Sequence, residues 1–509
     1  MKNLKYIFIT FIASLVAISC SNFEDINTNP DTSTVVAPDM LATQVLKNTF
    51  TMNGGGAFDF VAENLFNKHV AALDPSIPSS NQYYYVNFGS FSNYSMLTDL
   101  NFMTQFAEGN QAEPSYKGLA LYLKAYYGFT ATLAMGDVPY YEAGMADEDI
   151  TRPVYDAQAD VIAQILTDLE EAEAYFAEGI NFSGDIMFDG DATKWQKLCN
   201  AMQLKVIQTI SKKATTDQKT RFASIVNTNN LLEGNEDNFK LVYTEIANAN
   251  HQFYNGENLR INTAISKLTA DFLKTNKDRR LFYFAEPAPK LVADGKSASD
   301  FDAYEGALTS IDPTTLAFNK DNGDYSFLNS RYVDFMDGEP LLRFTYAEQC
   351  FIIAEAIEEG WVTGNAQDYY ENGVKAMLEY YMELPNTAGY VHDMAIDQDY
   401  IDNYFTDEAA YATAGTKNDR LEQILTQRWL IDFFQGNGGN YPQFLRTGYP
   451  EYPLDPSTSM NPDDTSVYPK RWKYPTSEQT TNPENYQKAI DEQYDGYDGI
   501  NKTPWYLQD

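Results

Sequence analysis

Apolar residues along this chain recur at helical spacing in consecutive pairs of segments, a pattern that points to stacked helix hairpins. Residues 116–134 carry Leu119, Leu121, Leu123, Tyr126, Phe129 and Leu133 round nearly the whole circumference, so this helix is expected to be covered on every side. Gly136-Asp137 ends it ahead of Pro139. Beyond Arg152-Pro153, Val161, Ile162, Ile165, Leu166, Leu169, Ala172 and Phe176 repeat the pattern through residue 177, and the two helices should form an antiparallel hairpin. The same reading predicts helices over 193–212, 217–229, 343–359, 366–383 and 417–435.

The pairs near 116–177, 193–229 and 343–383, with the helix at 417–435, look like tetratricopeptide-type units without a constant period. The fold class expected is therefore mainly all-α, an irregular helical solenoid. Between the pairs, residues 54–110, 235–340 and 437–509 are rich in Gly, Asn, Asp, Tyr and Pro and read as mostly aperiodic loops. Loops on a rigid scaffold are where binding surfaces usually form. Cys199 and Cys350 each fall on the apolar face of a predicted helix and are read as buried free thiols rather than a disulfide.

The N-terminus is of another kind. Lys2 and Lys5 precede an apolar run from Tyr6 to Ile18 that ends at Ser19-Cys20. The run is too short to span a bilayer, which needs roughly 20 apolar residues. Residues 1–19 read as a signal peptide. Ala17-Ile18-Ser19-Cys20 looks like a lipobox, with Ala17 standing where Leu is more usual, so Cys20 is expected to be lipidated. Each buried methylene of such an anchor contributes ~0.8 kcal/mol. Residues 20–40, with the breakers Asn27-Thr28-Asn29-Pro30, read as a tether, and 41–509 as a single domain.

A formal net charge of −36 argues against nucleic-acid binding, which rests on Lys and Arg neutralising phosphates, and against polyanionic ligands. His69, His251 and His392 are far apart and fit no metal-ligand spacing. No phosphate-binding loop and no Gly-x-Ser-x-Gly elbow is present. A glycosidase needs only two suitably separated carboxylates, so the 72 acidic residues leave that chemistry open. Asn319, Asp321 and Asp324 around Gly323 fail the EF-hand spacing and read as a turn, and no cofactor is expected.

Several separated motifs carry a resemblance. After Cys20 comes Phe23-Glu24-Asp25-Ile26-Asn27-Thr28-Asn29-Pro30, and the first hairpin holds Ala125-Tyr126 and Gly136-Asp137-Val138-Pro139-Tyr140. Then follow Arg343, Tyr346-Ala347-Glu348, Ala354-Glu355-Ala356, Gly360, Gln427-Arg428-Trp429-Leu430, Arg446-Thr447-Gly448-Tyr449-Pro450 and Arg471-Trp472-Lys473-Tyr474-Pro475. In this order the chain resembles the SusD/RagB superfamily, SusD-like nutrient-binding lipoproteins of the Bacteroidetes. The resemblance implies the SusD-like fold and an outer-membrane lipoprotein facing the cell exterior. It also implies a SusC-like TonB-dependent transporter barrel as partner and an oligosaccharide or peptide as ligand, and it leaves a structural calcium open because some relatives hold one. Arg428, Arg446 and Arg471 are read as guanidinium forks that clamp loops to helices.

A glycan site needs exposed aromatic planes for stacking on sugar C–H faces, with polar groups beside them. The densest candidate is Gln82-Tyr83-Tyr84-Tyr85-Val86-Asn87-Phe88 followed by Tyr94; the second is the insertion with Phe301, Tyr304, Tyr325 and Phe327. The candidate ligand-binding residues are thus Tyr83, Tyr84, Tyr85, Phe88, Tyr94, Tyr304 and Tyr325, each with the alternative reading of a packed loop or strand. Trp361 and Trp472 are read as packing residues. Capture of an oligosaccharide without catalysis is the expected function. A glycan-cleaving helical hydrolase and a peptide- or protein-binding repeat scaffold remain as alternatives.

Overall fold

The computed structural model describes residues 36–509 apart from 52–56, 75, 76, 78, 247, 248 and 436–438. The expected signal peptide, Cys20 and most of the expected tether lie outside the described residues. The tether's expected end at residue 40 is corrected: Pro38 opens a helix, Pro38–Thr49, with proline in the first turn, and Leu41, Val45 and Leu46 face the core.

The protein is mainly helical. The hairpin expected from periodicity forms from Glu113–Met135 and Gln158–Phe176. Gly118, near the start of the first helix, lies against Phe176 at the end of the second, and the Gln158 amide donates to the Thr132 carbonyl at 2.6 Å, so the helices run antiparallel. Gly128 lets Tyr140 lie on the first helix, where a Cβ would come within 2.2 Å of the ring. The pair Ala192–Thr209 and Thr216–Thr228 is opened by two caps: Asp191 accepts from the Thr193 N–H, and Thr215 forms a capping box with Gln218.

The third pair is Tyr346–Glu358 and Ala366–Glu383. Its expected start at residue 343 is corrected. Leu341–Phe344 is a strand buried along its length, paired antiparallel with Phe239–Leu241. Four residues are too few for their spacing to tell a buried strand from a helix, and Thr345 then caps the helix by accepting from the Glu348 N–H. The helix expected to reach 435 ends at Ile431, and Phe434 stands at φ 59°, outside helical geometry.

The intervening segments are less irregular than their composition suggests. They contain helices Ala57–Phe66, Ser95–Phe106, Lys267–Thr275, Pro313–Asp321, Asn440–Thr447 and Pro483–Tyr494. Two open on side-chain caps visible in the sequence, Ser266 bonding the Thr269 N–H and Asp312 bonding the Thr315 N–H. A second short sheet pairs Val70–Ala72 with Thr263–Ile265. One contiguous apolar core runs from Leu41 to Leu507, and a smaller cluster of Ala71, Leu73, Ala264, Ala307, Leu316 and Tyr325 seats the 307–325 segment on this sheet. Cys199 and Cys350 are buried and unpaired.

Candidate functional site

The site is organised by the turn that follows the helix Ala57–Phe66. Ser79–Tyr83 forms a short 3-10 helix and Tyr84 stands at φ 61°, a left-handed conformation that reverses the chain. Tyr83 and Tyr84 therefore point into the protein and Tyr85 points out. The Tyr83 hydroxyl donates to the Ile311 carbonyl at 2.7 Å, and the Tyr84 hydroxyl to the Pro453 carbonyl at 2.8 Å. The Tyr84 ring packs edge-on against Tyr468, with centroids 5.3 Å apart. Burial pushes the Tyr83 phenol up to about 12 and raises the Tyr84 phenol further, so both are neutral donors.

The second bond reaches the lining of a cleft of about 490 Å³ at Pro453, and the first ends at Ile311, the residue after its Leu308–Ser310 side. One wall is Leu308–Ser310, the other Glu451–Leu454 with Tyr468, and the start of the helix Lys267–Thr275 completes the lining. The walls are also tied to each other and to the turn: the Thr458 hydroxyl donates to the Ser310 carbonyl at 2.7 Å, and the Met460 N–H to the Tyr83 carbonyl at 2.7 Å. Lys267 at the cleft is neutralised by Asp271, 2.9 Å away. The volume suits a small ligand, and the lining mixes tyrosine rings with hydroxyls and backbone groups. A wider depression, lined by Glu484, Gln487, Lys488 and Asp491 among others, lies along the single helix Pro483–Tyr494.

Of the seven aromatic candidates, Tyr85 and Phe88 are exposed, each at 42%. Of the other five, four are corrected as buried and Tyr94 is half-buried. Tyr83 and Tyr84 are buried wall supports. Tyr304 is fully buried, packed edge-on against Phe282, with its hydroxyl on the Ala298 carbonyl at 2.9 Å. Tyr325 is buried, its hydroxyl accepting from the Asn319 amide at 2.8 Å. Tyr94 is half-buried against Phe91, with its hydroxyl inside the protein. A ring without an accessible face cannot stack on a sugar; the hydrophobic effect draws most rings of so tyrosine-rich a chain inward. Trp361 packs against Phe222 and Trp472 against Phe66.

The cleft walls themselves were missed by sequence reasoning. The capping motifs at Ser266 and Asp312 were available signals for where their helices begin. Nothing in the pattern marks Lys267, Thr309, Glu451 or Tyr452 as neighbours, because separate segments meet there only after folding.

The three arginines of the sequence motifs act as clamps. Arg428 donates to Glu348 at 3.0 Å and Arg471 to the Met135 carbonyl at 3.0 Å and to Asp498 at 2.5 Å. Arg446 holds Glu355 through both terminal nitrogens. His69 is buried between the Asn64 amide oxygen and the Trp429 carbonyl, each at 3.0 Å. His251 is buried against Tyr243, and His392 bonds Glu286 at 2.9 Å. In the proposed acidic turn, Asp324 pairs with Lys290. Among the described residues no group of three or more His, Cys, Asp or Glu is arranged to hold a metal ion, and no helix is long and apolar enough to cross a membrane.

Comparisons with known proteins agree on one family. The profile of SusD-like proteins described as starch-binding and associating with the outer membrane matches residues 30–475. A SusD homologue from Bacteroides fragilis is 34% identical over 93% of this chain and all of its own, with a TM-score of 0.87. A Bacteroides vulgatus outer membrane protein, described in terms of nutrient binding, is 30% identical over 93% of this chain and all of its own, with a TM-score of 0.83. A chitin-binding SusD homologue from Flavobacterium johnsoniae, 19% identical over 92% of this chain and 99% of its own, shares the fold at a TM-score of 0.71. No curated protein matches the chain significantly.

Proposed function

The chain belongs to the SusD/RagB superfamily, and on that premise we propose that it is a nutrient-capture lipoprotein whose ligand, an oligosaccharide, enters the cleft beside Tyr85. The family is associated with the outer membrane, and its solved members are described as binding proteins. One observation carries the site: an exposed ring, Tyr85, stands on the same turn whose two preceding tyrosines bond Pro453 in the lining of a cleft of ligand size and Ile311 next to it. Stacking on Tyr85 would orient a sugar, and the hydroxyls and carbonyls of the walls would meet its hydroxyl groups.

On this reading Cys20 carries the lipid, the domain faces the cell exterior, and the cargo passes to a SusC-like TonB-dependent transporter. Neutral ligands are favoured, because Lys267 is spent on Asp271 and the protein is strongly acidic.

Calorimetric titration of the soluble form against neutral glycans and peptide mixtures, with product analysis of every positive, tests the proposal. Binding without turnover supports it. Cleaved products would establish a hydrolase, and a response to peptides alone would replace the oligosaccharide.

A further inference from the structure

Lys68 is fully buried directly behind the turn that organises the cleft. Its Nζ donates to the Gln82 carbonyl at 2.5 Å and stands 3.7 Å from the centre of the Tyr84 ring. A buried amine is costly, and burial drives its pKa well below the usual lysine value. The backbone is specialised here as well, for Lys68 stands at φ 64° and Tyr84 at φ 61°.

The base from which Lys68 reaches is firmly held. The neighbouring His69 ring is bonded to Asn64 and to the Trp429 carbonyl. Gln82 is gripped at two points: its carbonyl takes the Lys68 bond, and its side-chain oxygen accepts from the Ala72 N–H at 2.7 Å. From that grip the next two residues diverge, Tyr83 to Ile311, next to the Leu308–Ser310 wall, and Tyr84 to Pro453 in the other.

We propose that Lys68 is a positioning residue of the cleft, setting through Gln82 and Tyr84 the separation of its two walls and the presentation of Tyr85. The inference rests on the cleft being the ligand site, and it gives the buried lysine a task in binding rather than in general stability. Methionine would keep most of its bulk and remove the donor, leaving the Gln82 carbonyl unpaired inside the protein.

The test compares the full chain with Lys68→Met and Lys68→Arg by amide hydrogen exchange without ligand and by titration with whichever neutral glycan the wild type binds. For Lys68→Met, exchange should quicken about tenfold or more in residues 79–85, 308–312 and 451–460, and stay unchanged in the hairpin Glu113–Phe176. Affinity should fall by about tenfold, and Lys68→Arg, which keeps donors, should recover part of both effects. Should Lys68→Met fail to fold, Lys68→Arg alone should alter exchange in those three segments only. Uniform acceleration across the chain, or no local change, overturns the proposal. Local quickening with no glycan bound by any of the three proteins upholds the wall-positioning role and instead removes the reading of the cleft as a glycan site.

Discussion

Arg446 and Glu355 form a nearly buried bidentate pair, each terminal guanidinium nitrogen donating to one carboxylate oxygen across 91 positions of sequence. Glu355 lies on the helix Tyr346–Glu358 and Arg446 on Asn440–Thr447, so the pair locks a late segment onto a central hairpin. Removing Arg446 leaves the nearly buried Glu355 to the more distant Arg428, 3.9 Å away, whereas replacing both with apolar residues leaves Arg428 on Glu348. Arg446→Ala should lower unfolding free energy by about 3 kcal/mol or more, and Arg446→Met with Glu355→Leu by clearly less. Urea titration of the three proteins measures both; equal losses would show that the pair is screened.

A second expectation concerns pH. Burial pushes His251, whose Nδ1 accepts from the Phe253 N–H, down to about 3 in the folded protein, against about 6.5 in an unfolded chain. Between those values the unfolded state binds a proton that the folded state refuses. Stability from this ring is thus full above pH 6.5 and is lost as pH falls toward 3, by roughly 1.4 kcal/mol per pH unit. Urea midpoints taken from pH 7 to pH 5 should fall accordingly, and NMR should show the His251 ring still neutral at pH 5.

The bond from Tyr84 to the Pro453 carbonyl gives a third test. Tyr84→Phe keeps the ring against Tyr468 and leaves the carbonyl without its donor. The expected cost is about 1 kcal/mol in urea unfolding, together with weaker ligand binding because one wall of the cleft is released.

Tyr85 and Phe88 should behave in the opposite way. Both rings are substantially exposed, so truncation removes little from the core. Tyr85→Ala is expected to change stability by less than about 0.5 kcal/mol and to weaken glycan binding by roughly 1 kcal/mol, about fivefold, read by titration calorimetry. Unchanged affinity would move the stacking surface elsewhere.

Local chemistry made the helical hairpins legible in advance. The spacing of Val161, Ile165, Leu169 and Phe176 marks one helix face whatever surrounds it, whereas the expected cover on every side of 116–134 is corrected, since Lys117 and Thr130 leave a stripe of that helix open to solvent. The ordered motifs through Arg428, Arg446 and Arg471 carried the resemblance, and their guanidiniums clamp loops and helices of the fold. Local pattern began a helix at residue 343, where Arg343 and Phe344 in fact close the strand Leu341–Phe344, and only its pairing with Phe239–Leu241 settled the matter. Only the tertiary structure decided which tyrosines are free. Tyr83, Tyr84 and Tyr85 are the same residue in succession, and a left-handed turn at Tyr84, backed by Lys68, sends two inward and one outward. Side-chain type is a property of each position, whereas exposure depends on what distant segments bring alongside it, and that is why the cleft could not be read along the chain.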